Sequence, residues 1–165
     1  KTQKTKEKTT EQIMNTTNKK ILFICFANKS RSPMAKGLAQ KIFPKEFYFD
    51  SAGIDAETFG GANYRAISAI GEYGVDLMNH LAKSINDIAI SEFDHIIAMD
   101  SDIFNTVIQR YPAMEDRTIQ WQIEDPFYGT IKTYRSCAKE IFQNLKILLT
   151  RFGLSELGIY PTSNS

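Results

Sequence analysis

The sequence predicts an α/β fold in which a single domain is built on a four-stranded parallel sheet with helices on both of its faces. Strand-like and helix-like segments alternate along the chain, which is typical of parallel sheets whose connections are helices. The first strand-like run, ILFIC at 21–25, is continuously apolar, as expected of a strand covered on both faces. The length of 165 residues lies within the usual size of one domain.

Local signals define the elements in order. Pro33 suits the first turn of a helix, with Ser32 as its cap, and apolar residues follow at helical spacing. Gly74 and Gly153 stand where the second and the last helix are expected to end. We expect strands at 21–25, 47–51, 93–99 and 118–122, and helices from Pro33 onward and at 63–73, 101–110 and 131–152.

The composition indicates a soluble cytoplasmic protein that binds neither nucleic acid nor membranes. The chain has 20 basic and 19 acidic residues, so it offers no electrostatic case for nucleic acid. No apolar run approaches the roughly 20 residues of a membrane span, and nothing resembles a signal peptide. We expect a disordered polar tail at 1–19, a folded domain at 20–155, a C-terminal tail at 156–165, and a monomer or weak dimer.

The junction of the first strand and the first helix carries the candidate chemistry. Cys25 ends the strand, and Arg31 stands just before the helix. A loop of this kind can turn backbone N–H groups toward an anion, so we expect a phosphate-binding loop after the first strand. A thiolate in such a loop can attack phosphorus, while a guanidinium offers paired donors to phosphate oxygens. Taken alone, the pair fits a buried structural cysteine equally well.

A second segment, EDPFYG, supplies a candidate acid. Pro126 restricts the backbone of Asp125 to an extended conformation and so determines where its carboxyl points. A general acid is needed because an alkoxide or phenoxide departs poorly without a proton. Phe127 and Tyr128 could form the walls of a slot for an aryl ring. On its own, the segment also fits an ordinary Asp-Pro turn with two packed aromatic side chains.

Together the two segments resemble the low-molecular-weight protein tyrosine phosphatases. CFANKSRSP and DPFYG stand in the family's order, and DSAG, GVDLMNHLAKSI and FDHIIAMD extend the resemblance over 20–152. The resemblance implies Cys25 as the nucleophile, Arg31 as the phosphate clamp and Asp125 as general acid and then base, with no metal and no cofactor. It places the rest of the phosphate loop and its support at Phe26, Ala27, Asn28, Lys29, Ser30, Ser32, His80 and Asp100, where Asp100 orients the arginine.

The chain departs from the family at three loop positions. Ala27 stands where the family usually has glycine, Ser30 where it has a second cysteine, and Lys29 where it has a large apolar residue. A further substrate-wall residue is assigned to Phe59, in a segment that does not align without a gap. We expect these changes to affect substrate preference and catalytic rate and to leave the chemistry intact.

Three other functions stay open at the level of sequence. A thioredoxin-coupled arsenate reductase shares the fold and the loop but needs two further cysteines, whereas the chain has one, Cys137. A phosphoarginine phosphatase would bring a guanidinium against Lys29, an unfavourable juxtaposition of like charges. A weak phosphotyrosine-binding module needs neither a thiolate nor an acid. The sequence therefore favours a phosphatase for phosphotyrosine-containing proteins, and we interpret Cys137 and His95 as structural.

Overall fold

Four parallel strands form the centre of the structure. The computed structural model describes residues 19–56 and 60–154. The strands are β1 (Lys20–Cys25), β2 (Tyr48–Gly53), β3 (His95–Ala98) and β4 (Thr118–Gln120). They lie in the order β2-β1-β3-β4, and every neighbouring pair is parallel. The carboxyl end of β1 therefore lies where the connections reverse direction, the usual place for a ligand in such sheets.

Helices cover both faces of this sheet. They are α1 (Arg31–Ile42), α2 (Tyr64–Gly71), α3 (Ser101–Arg110) and α4 (Ile131–Arg151). Successive side chains of a strand point to opposite faces. Phe23 accordingly packs in the core shared with α1, α2 and α4, whereas Leu22 and Ile24 pack in the core that contains Val107 of α3. The predicted fold class is confirmed.

Short 3-10 helices complete the second face and its connections. They lie at Ile85–Asp87, Ile90–Glu92 and Pro112–Arg117. The segment before the first of them runs beside β2, where Gly53 and Ser84 form an isolated parallel bridge. This placement brings residues 80–84 next to the loop that follows β1.

Element boundaries differ from the predicted ones by at most two residues, and one predicted cap is wrong. The first helix begins at Arg31 with Ser30 in the cap position, and no side chain caps it. Ser32 does not cap this helix because its hydroxyl lies 2.8 Å from the Cys25 sulfur. The second strand continues to Gly53, which pairs with Cys25 in the parallel register.

Three predicted features lie outside the described residues. They are the N-terminal tail apart from Lys19, the tail at 156–165, and Phe59. Within the described ranges, no helix is long and apolar enough to cross a lipid bilayer.

Candidate active site

The loop at 26–30 joins β1 to α1 and forms a tight arch at the carboxyl end of the sheet. Asn28 has a φ of 56°, a left-handed conformation that asparagine tolerates better than most residues. The arch lies directly against the end of β2, because a Cβ atom on Gly53 would come within 2.7 Å of the Phe26 carbonyl oxygen. Glycine at this position permits the close approach and so determines where the arch sits.

The Cys25 sulfur lies within this arch and is held by two contacts. Its Sγ is 2.8 Å from Ser32 Oγ, and the backbone N–H of Asn28 donates to it at 3.3 Å. Ser32 Oγ accepts a hydrogen bond from Asn28 Nδ2 at 2.9 Å, which leaves the serine's own hydrogen for the sulfur. Two donors directed at one sulfur can stabilise negative charge on it.

The Asn28 side chain connects the arch to two neighbouring segments. Its Nδ2 also donates to Ser51 Oγ of β2 at 2.9 Å. Its Oδ1 accepts from the backbone N–H of Lys83 at 3.0 Å. Because a backbone N–H only donates, this bond also sets the orientation of the amide. The asparagine is fully buried, so its polar atoms are satisfied inside the protein.

His80 supports Asn28 from its backbone side. His80 Nε2 lies 2.7 Å from the Asn28 carbonyl oxygen, and since a carbonyl only accepts, this nitrogen carries the hydrogen. Burial lowers the pKa of His80, and the charges of Lys36 and Lys83 add to this effect. The bond to Asn28 and the Asp50 carboxylate oppose the lowering without reversing it. A neutral imidazole is sufficient to donate this bond.

Arg31 is almost fully buried and is held in one orientation. Its Nη1 donates to Asp100 Oδ2 at 2.6 Å and to the Ile123 carbonyl oxygen at 2.8 Å. Its Nη2 lies 3.5 Å from Asp125 Oδ2. Burial alone lowers the pKa of Arg31, but the hydrogen bond to Asp100 and the nearby charges of Cys25 and Asp125 outweigh it, so the pKa is raised. The guanidinium therefore stays charged and presents its Nη2 edge beside Asp125.

Asp100 is oriented by a helix as well as by the arginine. It is the N-cap of α3, where its Oδ1 accepts from the Ile103 backbone N–H at 2.9 Å. One carboxylate thus caps a helix with one oxygen and positions the guanidinium with the other.

Asp125 and two aromatic residues form the outer part of the cleft. Asp125 Oδ1 accepts from the Phe127 backbone N–H at 3.1 Å, and its side chain is 46% exposed. Phe127 and Tyr128 are 57% and 98% exposed, whereas Cys25 is 3% exposed. The cleft has a volume of about 540 Å³ and is lined by Cys25, Phe26, Ala27, Lys29, Ser30, Arg31, Asp55, Asn63, Asp125, Phe127 and Tyr128.

Two of the three residues at which the loop departs from the family, Lys29 and Ser30, contact different segments of the chain. The ammonium end of Lys29 lies over Gly60, where an added Cβ atom would come within 2.7 Å of its Nζ. Ser30 Oγ donates to the Tyr134 hydroxyl of α4 at 3.4 Å, in a buried position. The structure thus brings the predicted site residues into the cleft or against its loop, with the exception of the undescribed Phe59.

Sequence reasoning missed a charged cluster behind the arch. Asp50, nearly buried in the middle of β2, lies 2.7 Å from Lys83 Nζ and 3.3 Å from Lys36 Nζ, and it accepts from the Ser51 N–H. Burial raises the pKa of Asp50, but the hydrogen bond to Lys83 and the other contacts outweigh it and lower the pKa. The polar pair Asp50-Ser51 inside a strand-like segment was the available signal. Lys83 lies in the segment GVDLMNHLAKSI that extends the family resemblance, but its sequence context assigns it no role, because its contacts depend on the bridge beside β2.

Cys137 and His95 lie in the core and at the start of a strand, positions that agree with structural roles. Cys137 is buried in the same core as Cys25, and burial raises its pKa to about 12. His95 begins β3, and burial lowers its pKa. Within the described residues, no group of three or more His, Cys, Asp or Glu side chains could hold a metal ion.

A cysteine and an arginine under a polar arch, at the carboxyl end of a parallel sheet, form the arrangement expected in the phosphatase class that the sequence motifs resemble. A family model described as low molecular weight phosphotyrosine protein phosphatase matches residues 20–156. The chain belongs to this family, and the resemblance predicted from its two motifs is confirmed.

The relatives within this family differ in their named activities. Arsenate reductase 2 of Staphylococcus haemolyticus is 34% identical over 133 residues, covering 81% of this chain and 98% of the relative. The low molecular weight phosphotyrosine protein phosphatase of Saccharomyces cerevisiae is 30% identical over 142 residues, covering 73% and 87%. The solved structure of an arginine phosphatase from Geobacillus stearothermophilus superposes with a TM-score of 0.74 at 27% identity, covering 82% and 93%. The fold is common to them, and the substrate must be argued from the site.

Proposed function

We propose that this protein is a cysteine-dependent phosphatase that hydrolyses phosphotyrosine in proteins through a phosphocysteine intermediate. One observation carries the proposal: a nearly buried Cys25, the Nη2 edge of Arg31 and the Asp125 carboxyl face one cleft with an aromatic rim. These are a nucleophile, an oxyanion clamp and a proton donor, the three groups that phosphoryl transfer to a thiolate needs.

In the first step the Cys25 thiolate attacks the phosphorus of a phosphate seated in the arch. The Nη2 edge of Arg31 binds non-bridging oxygens and takes a phosphate oxygen in place of Asp125 as its partner. The S–P bond forms as the bond between phosphorus and the tyrosine oxygen breaks. Asp125, as the carboxylic acid, gives its proton to the departing phenolate, so a free tyrosine side chain and a phosphocysteine result.

In the second step Asp125, now a carboxylate, accepts a proton from a water molecule whose oxygen attacks phosphorus. The S–P bond breaks, inorganic phosphate forms, and the electron pair returns to the sulfur. The hydrogen bonds from Ser32 and from the Asn28 N–H stabilise that thiolate as it leaves. The cycle balances without a metal or a cofactor.

The depth of the site favours an aryl phosphate. The nucleophile is 3% exposed, while Phe127 and Tyr128 stand out at the rim with ring centroids 4.8 Å apart. A flat, long side chain can lie against this pair of contacting rings and reach the sulfur, whereas the phosphate on a short serine side chain sits too close to its own backbone. Aromatic rings also stack favourably on a phenyl ring.

Two other activities fit the site less well. Phosphoarginine also carries its phosphate on a long side chain, but Lys29 lines the cleft, and its ammonium would face the substrate's guanidinium at a cost in binding. A relay through three thiols is not possible in a chain with two cysteines, one of which has a pKa of about 12. Both considerations support phosphotyrosine as the substrate.

The decisive experiment compares turnover of matched substrates by the purified protein. We expect p-nitrophenyl phosphate and a phosphotyrosine peptide to be hydrolysed, and the same peptide with phosphoarginine to react far more slowly. Cys25→Ser should abolish turnover and still bind phosphate, whereas the matched variant Cys137→Ser should retain turnover. A higher kcat/KM for the phosphoarginine peptide would show that phosphoarginine, and not phosphotyrosine, is the preferred substrate. Tight binding of the phosphotyrosine peptide without turnover would indicate a binding module.

A further inference from the structure

A shallow groove lies beside the catalytic cleft, along the seam between α2 and α4. Asn63 and Tyr128 line the cleft, and the segments that follow them line the groove, beginning with Tyr64 and Thr130. Consecutive Cα atoms are about 3.8 Å apart, so on both walls a residue of the groove follows a residue of the cleft within two positions. The groove has a volume of about 400 Å³ and is lined by Tyr64, Arg65, Ser68, Thr130 and Ile131.

The charge of this groove is positive. Arg65 is the one charged residue among its described lining residues, which include no carboxylate. Its guanidinium carbon lies 4.6 Å from the centroid of the Tyr64 ring, and that ring is 67% exposed. Stacking of this kind holds the guanidinium plane while leaving its in-plane N–H donors available.

The neighbouring cation on the same helix pair is already neutralised. Arg135 of α4 donates from its Nε to Glu72, directly after α2, at 2.7 Å. No such carboxylate pairs with Arg65 within the described residues, and the first turn of α4 contains Lys132 but no acidic residue. Among its described lining residues the groove therefore lacks the counter-charge that Glu72 supplies further along the seam, while the carboxylates of Asp55 and Asp125 line the adjacent cleft.

We propose that this groove is a substrate subsite that binds an acidic side chain close to the phosphotyrosine. The inference rests on the proposed function, because it assigns a neighbour to the residue held in the cleft. An extended peptide advances about 3.3–3.6 Å per residue, so a side chain about one to three positions away reaches the groove. The carboxylate of that acidic side chain pairs with the Arg65 guanidinium, and the hydroxyls of Ser68 and Thr130 can donate further hydrogen bonds to it.

The test uses phosphotyrosine peptides that differ only by Glu, Ala or Lys at each of the three positions before and after the phosphotyrosine. At low salt we expect glutamate at one or more positions on one side to raise kcat/KM about two- to fivefold over alanine, mainly through KM. Arg65→Gln should abolish this preference for glutamate over alanine, and Arg65→Lys should keep part of it. The ratio should also shrink as salt increases. Arg151→Gln, at the opposite end of α4, is the matched control and should change nothing.

The outcomes separate this proposal from the one on which it rests. Turnover of p-nitrophenyl phosphate should be the same in Arg65→Gln, because that substrate has no flanking residues. Peptides that are hydrolysed with no preference for glutamate, or a preference that survives Arg65→Gln, would overturn the subsite alone. A preference lost in Lys29→Gln and kept in Arg65→Gln would assign the acidic residue to the cleft instead. Failure to hydrolyse any phosphotyrosine peptide would overturn both proposals.

Discussion

The backbone N–H of Lys83 donates to Oδ1 of Asn28 at 3.0 Å, although 55 positions separate the two residues in the chain. The Lys83 ammonium lies 2.7 Å from the Asp50 carboxylate, and the next residue, Ser51, accepts from Asn28 Nδ2. Asn28, which shapes the arch, is thus bonded to Ser51 of β2 and to Lys83, and the ion pair between Lys83 and Asp50 connects these two segments. Lys83 is a positioning residue in this arrangement, since it touches the loop and not the cleft.

We therefore expect Lys83→Met to loosen the arch while leaving the fold in place. The Asp50 carboxylate keeps Lys36 as a partner, so the loss of stability should be about 1 kcal/mol. Lys83→Arg retains the positive charge, so this variant should keep most of the stability and the arch geometry of the parent protein. The measurements are urea unfolding, vanadate affinity and the pH dependence of Cys25 alkylation. A variant that loses stability but keeps the wild-type alkylation profile would show that the pair supports the fold alone.

The loss of rate on substituting Asp125 should be larger for a leaving group that needs a proton than for one that does not. Asp125→Ala should slow hydrolysis of phosphotyrosine by a factor of about a hundred to ten thousand and that of p-nitrophenyl phosphate much less, because nitrophenolate departs with little help. Asp125→Asn keeps the shape of the side chain and the bond to Phe127 N–H, so it serves as the control for loop geometry. The two substrates are compared by kcat/KM, which reports the transfer of the phosphoryl group to Cys25 and excludes the hydrolysis step that both substrates share. Equal losses for both would remove Asp125 from the acid role.

The parts of the site that follow from short-range patterns were predictable from the sequence. Cys25 ends an apolar strand and Arg31 starts a helix, so their proximity in the fold follows from proximity in the chain. Asp125 was identified through Pro126 and the family resemblance, and the alternation of elements predicted the sheet. These signals are local, or they recur as motifs.

The contacts that orient these groups were not predictable in the same way. One of the two partners of Arg31 Nη1 is the Ile123 carbonyl oxygen, and no residue type signals a backbone acceptor. Ser32 was expected to cap α1 because serine favours that position, but its bond to the Cys25 sulfur takes precedence. Lys83 reaches Asn28 only because its segment runs beside β2, a tertiary fact that spacing does not contain.

The free energy of unfolding should fall as the pH drops below about 6.5. Burial lowers the pKa values of His80 and His95 below 6.5 in the folded protein, so protons bind more readily to the unfolded chain. Their contribution is complete above 6.5 and is lost as the pH falls toward the folded pKa values. Asp50 does not interfere, because its lowered pKa places its own loss below 3.8.

Urea midpoints at about pH 7.5, 6.5 and 5.5 measure this effect. The double variant His80→Gln, His95→Gln has no imidazole to titrate and should show a flatter dependence over the same range. Glutamine can still donate to the Asn28 carbonyl, which limits structural damage. An equally steep fall in the double variant would attribute the pH dependence to other groups.

Oxidation of Cys25 should be hard to reverse in this protein. Peroxide converts a reactive thiolate to a sulfenic acid, which is rescued when a second thiolate condenses with it before further oxidation. Ser30, where the family usually has its second cysteine, cannot form that bond. Cys137 is buried, and burial raises its pKa to about 12, so it is almost entirely the unreactive thiol at pH 7. Prolonged peroxide should therefore inactivate the enzyme with poor recovery in dithiothreitol.

Ser30→Cys provides the matched test, because it places a thiol in the loop at the cost of the weak contact with Tyr134. We expect this variant to recover most of its activity in dithiothreitol after the same exposure, with a disulfide between Cys25 and the introduced thiol visible by mass spectrometry before reduction. Cys137→Ser should behave as the parent protein does, since the buried thiol takes no part. Full recovery of the parent protein, together with a Cys25–Cys137 bridge in its mass spectrum, would show instead that Cys137 serves as the second thiol.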